Sequence, residues 1–308
     1  MAFFSVIIPL YNKENFIENT IQSVLNQTFE DFEIIVINDG STDKSEEKLL
    51  QFKDSRIRYY SKNNEGVSIT RNLGITLANA NFVAFLDADD YWHPDFLKVM
   101  FDYCTRFIKA KVFTTAIEVE TSQKTFLAQY SINKTFDFEF VNYFKASKKE
   151  SVILTSATIF NKKVFDKVGV FDPNIKSGQD TDLWIRIGLV YPILFIWEVL
   201  VRYTHDENSL SKKPDLLESK MDFSKFTELE KTNSDLKYFL DLNRFSLAIK
   251  SKLAYNKTLF DYYYNGIDLK KISFKKRFLL LLPPYLLRFL IQLKLKMANL
   301  GFGSSVFK

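Results

Sequence analysis

Strand-like and helix-like segments alternate along the first part of the chain. The strand-like runs are Ser5–Leu10, Phe32–Asn38, Ile57–Tyr60 and Asn81–Leu86. The helix-like segments extend approximately over residues 14–26, 44–52, 67–78 and 94–107. In the first of these helices Ile17, Ile21 and Val24 share one face, which is the spacing of a helix that packs on a sheet. The alternation predicts an α/β fold with a parallel sheet flanked by helices.

The pattern changes twice further along the chain. Beyond about residue 111 it is less regular, and the predicted elements are extended segments near 112–120, 152–160 and 192–202 and a helix near 180–189. We expect these segments to continue the same sheet. Beyond about Pro214 the chain is helical and amphipathic. The sequence therefore divides into an α/β domain over residues 1–214 and a helical C-terminal region over residues 215–308.

The C-terminal region contains a basic and apolar segment, residues 275–291, whose uncharged run is Phe278–Leu287. This run contains two prolines and is far shorter than the roughly 20 residues of a membrane-spanning helix, so we exclude a transmembrane segment. Basic residues beside Leu, Phe and Tyr suit a segment that lies in a membrane interface, where apolar burial and attraction to anionic lipids add. The alternative is a helix that packs on the main domain or on another subunit.

Composition limits the classes of protein and site. The 308 residues are 46% hydrophobic and 26% charged, as in a globular protein with ample material for a core. A net charge of +5 is too small and too dispersed to indicate nucleic-acid binding. Cys104 is the single cysteine, which excludes an internal disulfide and fits a reducing compartment, and His93 and His205 alone make structural zinc implausible. A metal would therefore be held mainly by oxygen.

Three carboxylates follow the fourth strand-like run. Residues 82–86 are uncharged and typical of a buried strand, and Asp87, Asp89 and Asp90 lie just beyond its carboxyl end. Open α/β sheets bind ligands at this edge, and such acids can converge on Mg²⁺ or Mn²⁺, which prefers oxygen and commonly bridges phosphates. Alternatively, the acids cap the helix that begins near Pro94. The cluster suggests a metal-dependent phosphate site.

Polar residues also follow the other strands at this edge. Asp39 ends the second strand and can accept hydrogen bonds from a nucleobase or ribose, although an Asp-Gly turn before a Ser/Thr helix cap is the alternative. The first strand ends in residues 9–12, which offer an aromatic face and an amide. Gly66 permits a tight turn before the next helix, where Arg71 offers a planar donor fork to a base or phosphate. Alone, this segment is an ordinary helix entry.

Four motifs follow one another in the first part of the chain. They are residues 6–12 (VIIPLYN), 38–43 (NDGSTD), 66–74 (GVSITRNLG) and 87–90 (DADD). In order and spacing they resemble family 2 glycosyltransferases with the GT-A fold. The resemblance covers roughly residues 3–211 and not the C-terminal third. It implies a Rossmann-like mixed sheet, flanked by helices, that binds a nucleotide-diphospho-sugar, with a helical extension behind it.

The resemblance implies where the donor and the metal bind. In the family, the segment matching residues 9–12 and Asp39 holds the nucleoside, and the residue matching Arg71 lies near the base or diphosphate. The implied donor-binding residues are Pro9, Tyr11, Asn12, Asp39, Asn64, Gly66, Arg71, Asp87 and Ala88. The last Asp of the family's Asp-x-Asp motif, here Asp89, binds Mn²⁺ or Mg²⁺. Asp87 contacts ribose or metal-bound water, and Asp87 and His205 are further metal candidates.

The resemblance also implies a base that takes the proton of the acceptor hydroxyl. Residues 177–186 resemble the family's Glu-Asp segment followed by Leu-Trp, and the base maps to Asp180, with Gln179 where Glu is usual. Asp182 is the competing candidate, but on a helix it would point about 200° away from Asp180. Trp184 either stacks on a sugar or packs in the core. The acceptor-side candidates are Trp184, Gln179 and Asp182.

The resemblance implies a metal-dependent inverting glycosyltransferase, and together with the basic and apolar C-terminal segment it suggests a role in cell-surface polysaccharide biosynthesis. We expect a UDP-sugar as donor and a hydroxyl of a saccharide or lipid-linked oligosaccharide as acceptor. The segment before the first strand lacks a basic leader, which favours a cytoplasmic protein, peripheral on the inner face of the cytoplasmic membrane. The alternative is a non-catalytic nucleotide-sugar-binding subunit of a glycosyltransferase complex, which Gln179 alone supports. A nucleotidyltransferase would need an early glycine-rich phosphate loop with basic residues, which the sequence lacks.

Overall fold

A mixed sheet lies at the centre of the fold. The computed structural model describes residues 2–205 and 222–299, with residues 294–299 as backbone only. Within these ranges the strands of the sheet are β1 (Phe4–Leu10), β2 (Phe32–Asp39), β3 (Ile57–Lys62), β4 (Phe82–Phe85), β5 (Tyr91–Trp92), β6 (Val112–Glu120), β7 (Thr125–Leu127), β8 (Phe138–Val141), β9 (Thr158–Asn161) and β10 (Ile193–Thr204). Their order is β3-β2-β1-β4-β9-β6-β10-β5, with β7 beside β6 and β8 beside β10.

Helices cover both faces of the sheet. In the same ranges they are α1 (Ile17–Leu25), α2 (Ser45–Leu49), α3 (Val67–Leu77), α4 (Phe96–Arg106), α5 (Tyr143–Ala146), α6 (Lys163–Val168), α7 (Gln179–Val190), α8 (Thr227–Thr232), α9 (Ser234–Leu253), α10 (Lys257–Asn265), α11 (Phe274–Leu281) and α12 (Pro284–Asn299). Short 3-10 turns lie at Thr155–Ala157 and Ser224–Phe226. The alternation predicted for the first part of the chain is therefore confirmed.

The order of the strands creates a switch point at β1. β1 pairs in parallel with β2 on one side, where Leu10 lies opposite Asn38, and with β4 on the other, where Ile7 lies opposite Phe85. Because β2 and β4 follow β1 on opposite sides, the connections leave a crevice beyond their carboxyl ends. Asp39, Asp87 and Asp89 lie at or just beyond these carboxyl ends.

Apolar side chains from the two faces of the sheet form separate clusters among the described residues. In β1 the side chain of Ile7 joins one cluster, whereas those of Val6 and Ile8 join the other, as strand alternation requires. All three side chains are fully buried. A strand with both faces covered reads as a continuous apolar run, which is why the sequence pattern located β1.

The C-terminal helices share the core of the sheet. Leu240 of α9 and Leu280 of α11 are buried in the same cluster as Leu183 and Trp184 of α7. The domain boundary predicted near residue 214 lies outside the described residues. In the described part of the chain, the C-terminal region therefore packs against the α/β domain and contributes to its core.

One face of α11 and α12 packs on α9 and the other is exposed. Leu280 and Leu287 are buried, and the ammonium group of Lys252 donates hydrogen bonds to the carbonyl oxygens of Leu280 and Leu282 at the end of α11. The exposed apolar side chains of this pair of helices include Phe274, Phe278, Leu281, Tyr285 and Phe289. No helix among the described residues combines the length and the apolar character that crossing a membrane requires.

Two predicted elements differ in the structure. The segment predicted as extended over residues 152–160 contains the 3-10 turn Thr155–Ala157, and the strand begins only at Thr158. The turn is held by Trp92, whose indole N–H donates a hydrogen bond of 2.6 Å to the carbonyl of Ser156. The helix predicted over residues 44–52 is limited to Ser45–Leu49. Contacts from distant parts of the chain determine the first difference.

Candidate active site

The turn that precedes α3 is built around the carboxylate of Asp39. This side chain is buried, and its oxygens accept hydrogen bonds from the backbone N–H groups of Glu65 (3.0 Å) and Gly66 (2.9 Å). The ammonium group of Lys62 pairs with the same carboxylate. Gly66 has φ +94°, which L side chains rarely adopt, although space is open where a Cβ would lie. This turn therefore brings together three residues predicted to bind the sugar donor: Asp39, Asn64 and Gly66.

Asn12 joins the end of β1 to the turn after β2. Its backbone N–H donates to Oγ of Ser41 (3.1 Å), and its side-chain oxygen accepts from the backbone N–H of Thr42 (2.8 Å). Its φ of +50° is tolerated by Asn more readily than by most residues. The neighbouring Tyr11 is 41% exposed, and Pro9 lies in β1. The segment 9–12 is thus fixed beside Asp39 with an aromatic ring accessible to a ligand.

Arg71 of α3 is a buried cation that leaves donors unused. Its Nη2 donates to Oδ1 of Asp87 at 2.6 Å, and its guanidinium lies over the ring of Phe171, 5.2 Å from the centroid. Only 4% of the residue is exposed. Among the described residues, neither Nε nor Nη1 of Arg71 has a hydrogen-bond partner. Because unsatisfied buried donors are unfavourable, these nitrogens are candidate partners for an anionic or carbonyl oxygen of a ligand.

Asp87 and Asp89 face basic groups on two sides. Asp87 pairs with Arg71, and Oδ2 of Asp89 lies 2.6 Å from the ammonium nitrogen of Lys13. Burial raises the pKa of Asp89, and the charge of Asp87 raises it further, whereas Lys13 opposes the shift. The two carboxylates therefore concentrate negative charge that additional cationic charge would stabilise.

Asp90 has a different surrounding from the other two acids. It is buried, one oxygen accepts from the backbone N–H of Thr204 (2.9 Å), and the other accepts from the hydroxyl of Ser156. Burial raises its pKa well above the usual value, and the charges of Asp89 and Asp87 add to the shift. Ala88 is also buried, and its carbonyl accepts from the hydroxyl of Thr20 (3.1 Å). Asp90 therefore fixes the acidic turn to β10 through hydrogen bonds that involve both of its carboxylate oxygens.

Asp180 lies near the acidic turn although it begins a distant helix. It is half-buried in the first turn of α7, where Oδ1 accepts from the backbone N–H of Thr181 (2.6 Å). Tyr203 of β10 connects it to the other acids. Burial raises the pKa of Tyr203, and the negative charges of Asp90, Asp87, Asp89 and Asp180 raise it further. The predicted base and the acids of this turn therefore all act electrostatically on the same phenol.

The structure corrects two of the three acceptor-side assignments. Trp184 is 2% exposed and stacks on Phe160, with ring centroids 5.2 Å apart, so it is a core residue. Asp182 is fully buried and pairs with Arg186 (2.8 Å) and with Lys225. The two side chains lie about 200° apart around α7, and each is buried by its own contacts: Trp184 by the apolar cluster, and Asp182 by Arg186 and Lys225. Gln179, at the start of α7, is half-buried and stays a predicted acceptor-side residue.

The predicted metal ligands are not assembled into one group. His205 continues the pairing of β10 with β6 through a backbone hydrogen bond to Glu120 (2.7 Å). Within residues 2–205 and 222–299, no three His, Cys, Asp or Glu side chains are arranged to hold a metal ion together. Asp87 and Asp89 nevertheless fit a hard divalent cation, because both offer partly exposed carboxylate oxygens and repel each other.

Sequence reasoning missed three residues that shape this site. Lys13 pairs with Asp89, Lys62 pairs with Asp39, and Ser156 accepts from the backbone N–H of Asp87 (3.1 Å). Lys13 directly follows a recognised motif, so its position was a usable signal, whereas Ser156 lies in an unremarkable segment. A cleft of about 450 Å³ also opens beside Asp89, between α1 and the end of β10.

Comparisons with known proteins agree on one family. The model of glycosyl transferase family 2 matches residues 5–169. An uncharacterized glycosyltransferase of Rickettsia bellii is 35% identical over 187 residues, which are 59% of this chain and 26% of that protein. Glycosyltransferase GlyA of Streptococcus pneumoniae is 29% identical over 219 residues, and chondroitin synthase of Escherichia coli is 26% identical over 216. These matches cover 68% and 69% of this chain, but only 31% and 30% of the two relatives.

Solved structures of TarS from S. aureus share the fold. Residues 1–349 of TarS superpose with a TM-score of 0.58 at 18% identity, covering 88% of this chain and 89% of TarS. The same fragment in complex with UDP-GlcNAc superposes with a TM-score of 0.57 at 17% identity, covering 87% and 93%. At such identities the likeness shows a common GT-A fold, and it includes much of the C-terminal region that the sequence motifs left uncovered.

Proposed function

This chain belongs to glycosyl transferase family 2, and we propose that it transfers a sugar from a nucleoside-diphosphate donor to a hydroxyl group of a saccharide or lipid-linked saccharide. The observation that carries the proposal is the buried guanidinium of Arg71 beside Asp87, in which two donors have no hydrogen-bond partner among the described residues. A diphosphate offers the anionic oxygens that this group lacks. The turn around Asp39 supplies hydrogen-bond acceptors for a nucleoside at the same edge of the sheet.

We propose a uridine nucleotide as the donor's leaving group. TarS, whose fold this chain shares, has been solved in complex with UDP-GlcNAc and also in complex with UDP. The exposed ring of Tyr11 offers a surface for stacking a base, and Asp39 is held rigidly by Glu65 and Gly66. A rigid acceptor suits a base that presents an N–H group, as uracil does. In this proposal Asp39 binds the nucleoside and Arg71 binds the diphosphate.

We propose that Asp89, with Asp87, holds Mn²⁺ or Mg²⁺, and that His205 is a further candidate ligand. When bound, such an ion neutralises charge on the diphosphate and so assists its departure. Lys13 already places positive charge at Asp89, which supports a cationic requirement at this position. Manganese binding to the unaltered protein and to Asp89→Asn, measured by calorimetry without donor, tests the assignment. Equal affinities would overturn it.

Transfer would proceed in one displacement with inversion at the anomeric carbon. The carboxylate of Asp180 accepts the proton of the acceptor hydroxyl while the oxygen of that hydroxyl forms a bond to the anomeric carbon. The bond between that carbon and the phosphate oxygen breaks at the same time, and its electron pair leaves with the nucleoside diphosphate. Arg71 and the positive charge at Asp89 stabilise the developing anion. The half-buried position of Asp180 near the acidic turn supports this role.

The decisive experiment is a transfer assay with a panel of UDP-sugars and oligosaccharide acceptors, with Mn²⁺ or with EDTA. We expect transfer with at least one donor, loss with EDTA, and a loss of at least 100-fold in kcat for Asp180→Asn. Asp166→Asn, an exposed acid on α6, serves as the control and should transfer normally. Near-normal transfer by Asp180→Asn would exclude it as the base. UDP binding without transfer to any acceptor would favour the alternative that the chain is a non-catalytic nucleotide-sugar-binding subunit.

We further propose that the exposed face of α11 and α12 lies on the inner face of the cytoplasmic membrane, where the enzyme would serve cell-surface polysaccharide synthesis. Phe278 and Phe289 are 51% and 60% exposed, and Lys275, Arg277 and Arg288 are exposed near them. Apolar rings flanked by cations suit an anionic lipid surface.

Cosedimentation with phosphatidylglycerol vesicles tests this location. The unaltered protein should bind them, and Phe278→Glu/Phe289→Glu should not. Ile108→Glu, another exposed apolar position, is the control and should bind normally. Equal binding by all three proteins, or none by the unaltered protein, would overturn the membrane assignment.

A further inference from the structure

Asp182 is a buried carboxylate on the helix that carries the proposed base. It is fully buried in the first turn of α7, two residues beyond Asp180. Its Oδ2 accepts hydrogen bonds from Nε (3.0 Å) and Nη2 (2.8 Å) of Arg186. Its Oδ1 pairs with the ammonium group of Lys225. The two oxygens therefore each have a cation, and the side chain anchors the turn from its interior face.

The two cations come from different parts of the fold. Arg186 lies one turn along α7 and also donates to the carbonyl oxygens of Val168 (2.5 Å) and Val170 (2.8 Å). Lys225 belongs to the C-terminal region, in the 3-10 turn Ser224–Phe226. Arg186 thus fixes Asp182 to the α/β domain, whereas Lys225 fixes it to the C-terminal helices.

The segment that carries Lys225 is itself firmly packed. Phe223 and Phe226 are each 3% exposed and belong to the same apolar cluster as Leu183 and Trp184 of α7. Upstream, Asp222 accepts hydrogen bonds from the hydroxyl of Tyr262 (2.6 Å) and from Ser224. The Lys225 ammonium is therefore presented to Asp182 by a rigid backbone. The side chain of Lys225 is itself 38% exposed, so the buried residues on either side of it, Phe223 and Phe226, fix the position from which it reaches Asp182.

We propose that Lys225 is a positioning residue for the base. By holding Asp182, it fixes the first turn of α7 so that Asp180, on the opposite side of that turn, faces the donor. The inference rests on the proposed function. Residues 182 and 225 both lie beyond residues 5–169, which the family model matches, so this chain's own C-terminal region supplies the contact. A base displaced by about 1 Å can lose on the order of 100-fold in rate.

The test compares Lys225→Met, Lys225→Arg, Asp182→Asn and the double variant Lys225→Met/Asp182→Asn. We expect Lys225→Met to lower kcat about 10- to 100-fold, with the donor KM and the Kd for UDP within about twofold of the unaltered values. Lys225→Arg should recover most of kcat. The double variant should lose no more than Asp182→Asn alone, because both changes remove the same interaction. Lys231→Met, in an exposed pair with Glu228, is the matched control.

Structure is followed separately by hydrogen exchange and by melting temperature. The amides of residues 179–183 should exchange faster in Lys225→Met, whereas those of α3 should not change. Normal kcat in Lys225→Met, or additive losses in the double variant, would overturn the inference and leave the proposed function intact. Parallel losses of kcat, UDP affinity and melting temperature would overturn it in favour of a general structural role. Absence of transfer by the unaltered protein would overturn the proposed function and the inference with it.

Discussion

Replacing Arg71 by Met should separate ligand binding from folding stability. Met keeps much of the buried volume but removes the guanidinium that we assign to the diphosphate. Hydrogen bonds from a charged group contribute about 1.5–3 kcal/mol. A loss of about 2 kcal/mol corresponds to a Kd for UDP raised roughly 30-fold. Isothermal titration with UDP measures this change directly and needs neither acceptor nor transfer.

The free energy of unfolding should change little in the same variant. Two nitrogens of Arg71 are buried without partners among the described residues, and each such group costs about 1–3 kcal/mol. Removing them offsets the loss of the pair with Asp87, whose carboxylate is 31% exposed and can be hydrated. We therefore expect a net change within about 1 kcal/mol by urea denaturation.

The control for this experiment is Arg56→Met. Arg56 lies just before β3, at the amino end of that strand and so away from the carboxyl ends where the site lies, and it forms an ion pair with Asp54 at 2.8 Å. Its replacement should leave the Kd for UDP unchanged. A Kd for UDP within threefold of the unaltered value in Arg71→Met would refute the assignment of the diphosphate. A loss of several kcal/mol in unfolding, with UDP affinity falling in step, would mean that the guanidinium serves the fold.

Three further predictions concern the framework of the site. Gly74→Ala places a Cβ 2.3 Å from Cγ2 of Ile7, so we expect the free energy of unfolding, measured by urea denaturation, to fall by about 1–3 kcal/mol. The double variant Gly74→Ala/Ile7→Ala should lose less stability than the sum of the two single variants, because Ile7→Ala removes the clash. Burial raises the pKa of Glu33, but hydrogen bonds from its neighbours lower it overall, so folding favours the carboxylate. The carboxylate of Glu33 therefore stabilises the fold above the pKa that it has in the unfolded chain, and this stabilisation is lost as the pH falls through the lower pKa of the folded state. The difference in unfolding free energy between Glu33→Gln and the unaltered protein should accordingly shrink from pH 7 to pH 3. Trp184→Ala should lower the unfolding free energy by about 3–5 kcal/mol, whereas Trp184→Phe should retain the acceptor KM. A raised KM in Trp184→Phe would restore that residue to the acceptor site.

Local patterns were sufficient for the central strands and for the donor edge. Val6, Ile7 and Ile8 are buried on alternate faces, so a continuous apolar run marked β1 without knowledge of its neighbours. Edge strands were harder to find, because β7 (Thr125–Leu127) and β8 (Phe138–Val141) are short and partly exposed. Short strands of this kind acquire their conformation from the strand beside them, β6 or β10.

Long-range ion pairs were beyond the reach of the sequence. Helical spacing predicted that Asp182 and Asp180 point in different directions, but neither segment contained a pattern that identified Lys225 as the partner of Asp182. The pair between Lys13 and Asp89 likewise joins residues 76 positions apart. Burial decided the case of Trp184, where a stack on a sugar and a place in the core were equally compatible with the sequence, and the core proved right.

The shared core has a consequence for how the chain acquires its fold during synthesis. The buried apolar cluster that includes Leu183 of α7 also includes Leu240 and Leu280, so part of its surface is covered by the C-terminal helices. Until the ribosome has released the segment containing Leu280, the nascent sheet must keep part of this surface open to water. Such an intermediate is prone to aggregation, so a translational pause after β10 should lower the soluble yield more than a pause after α11.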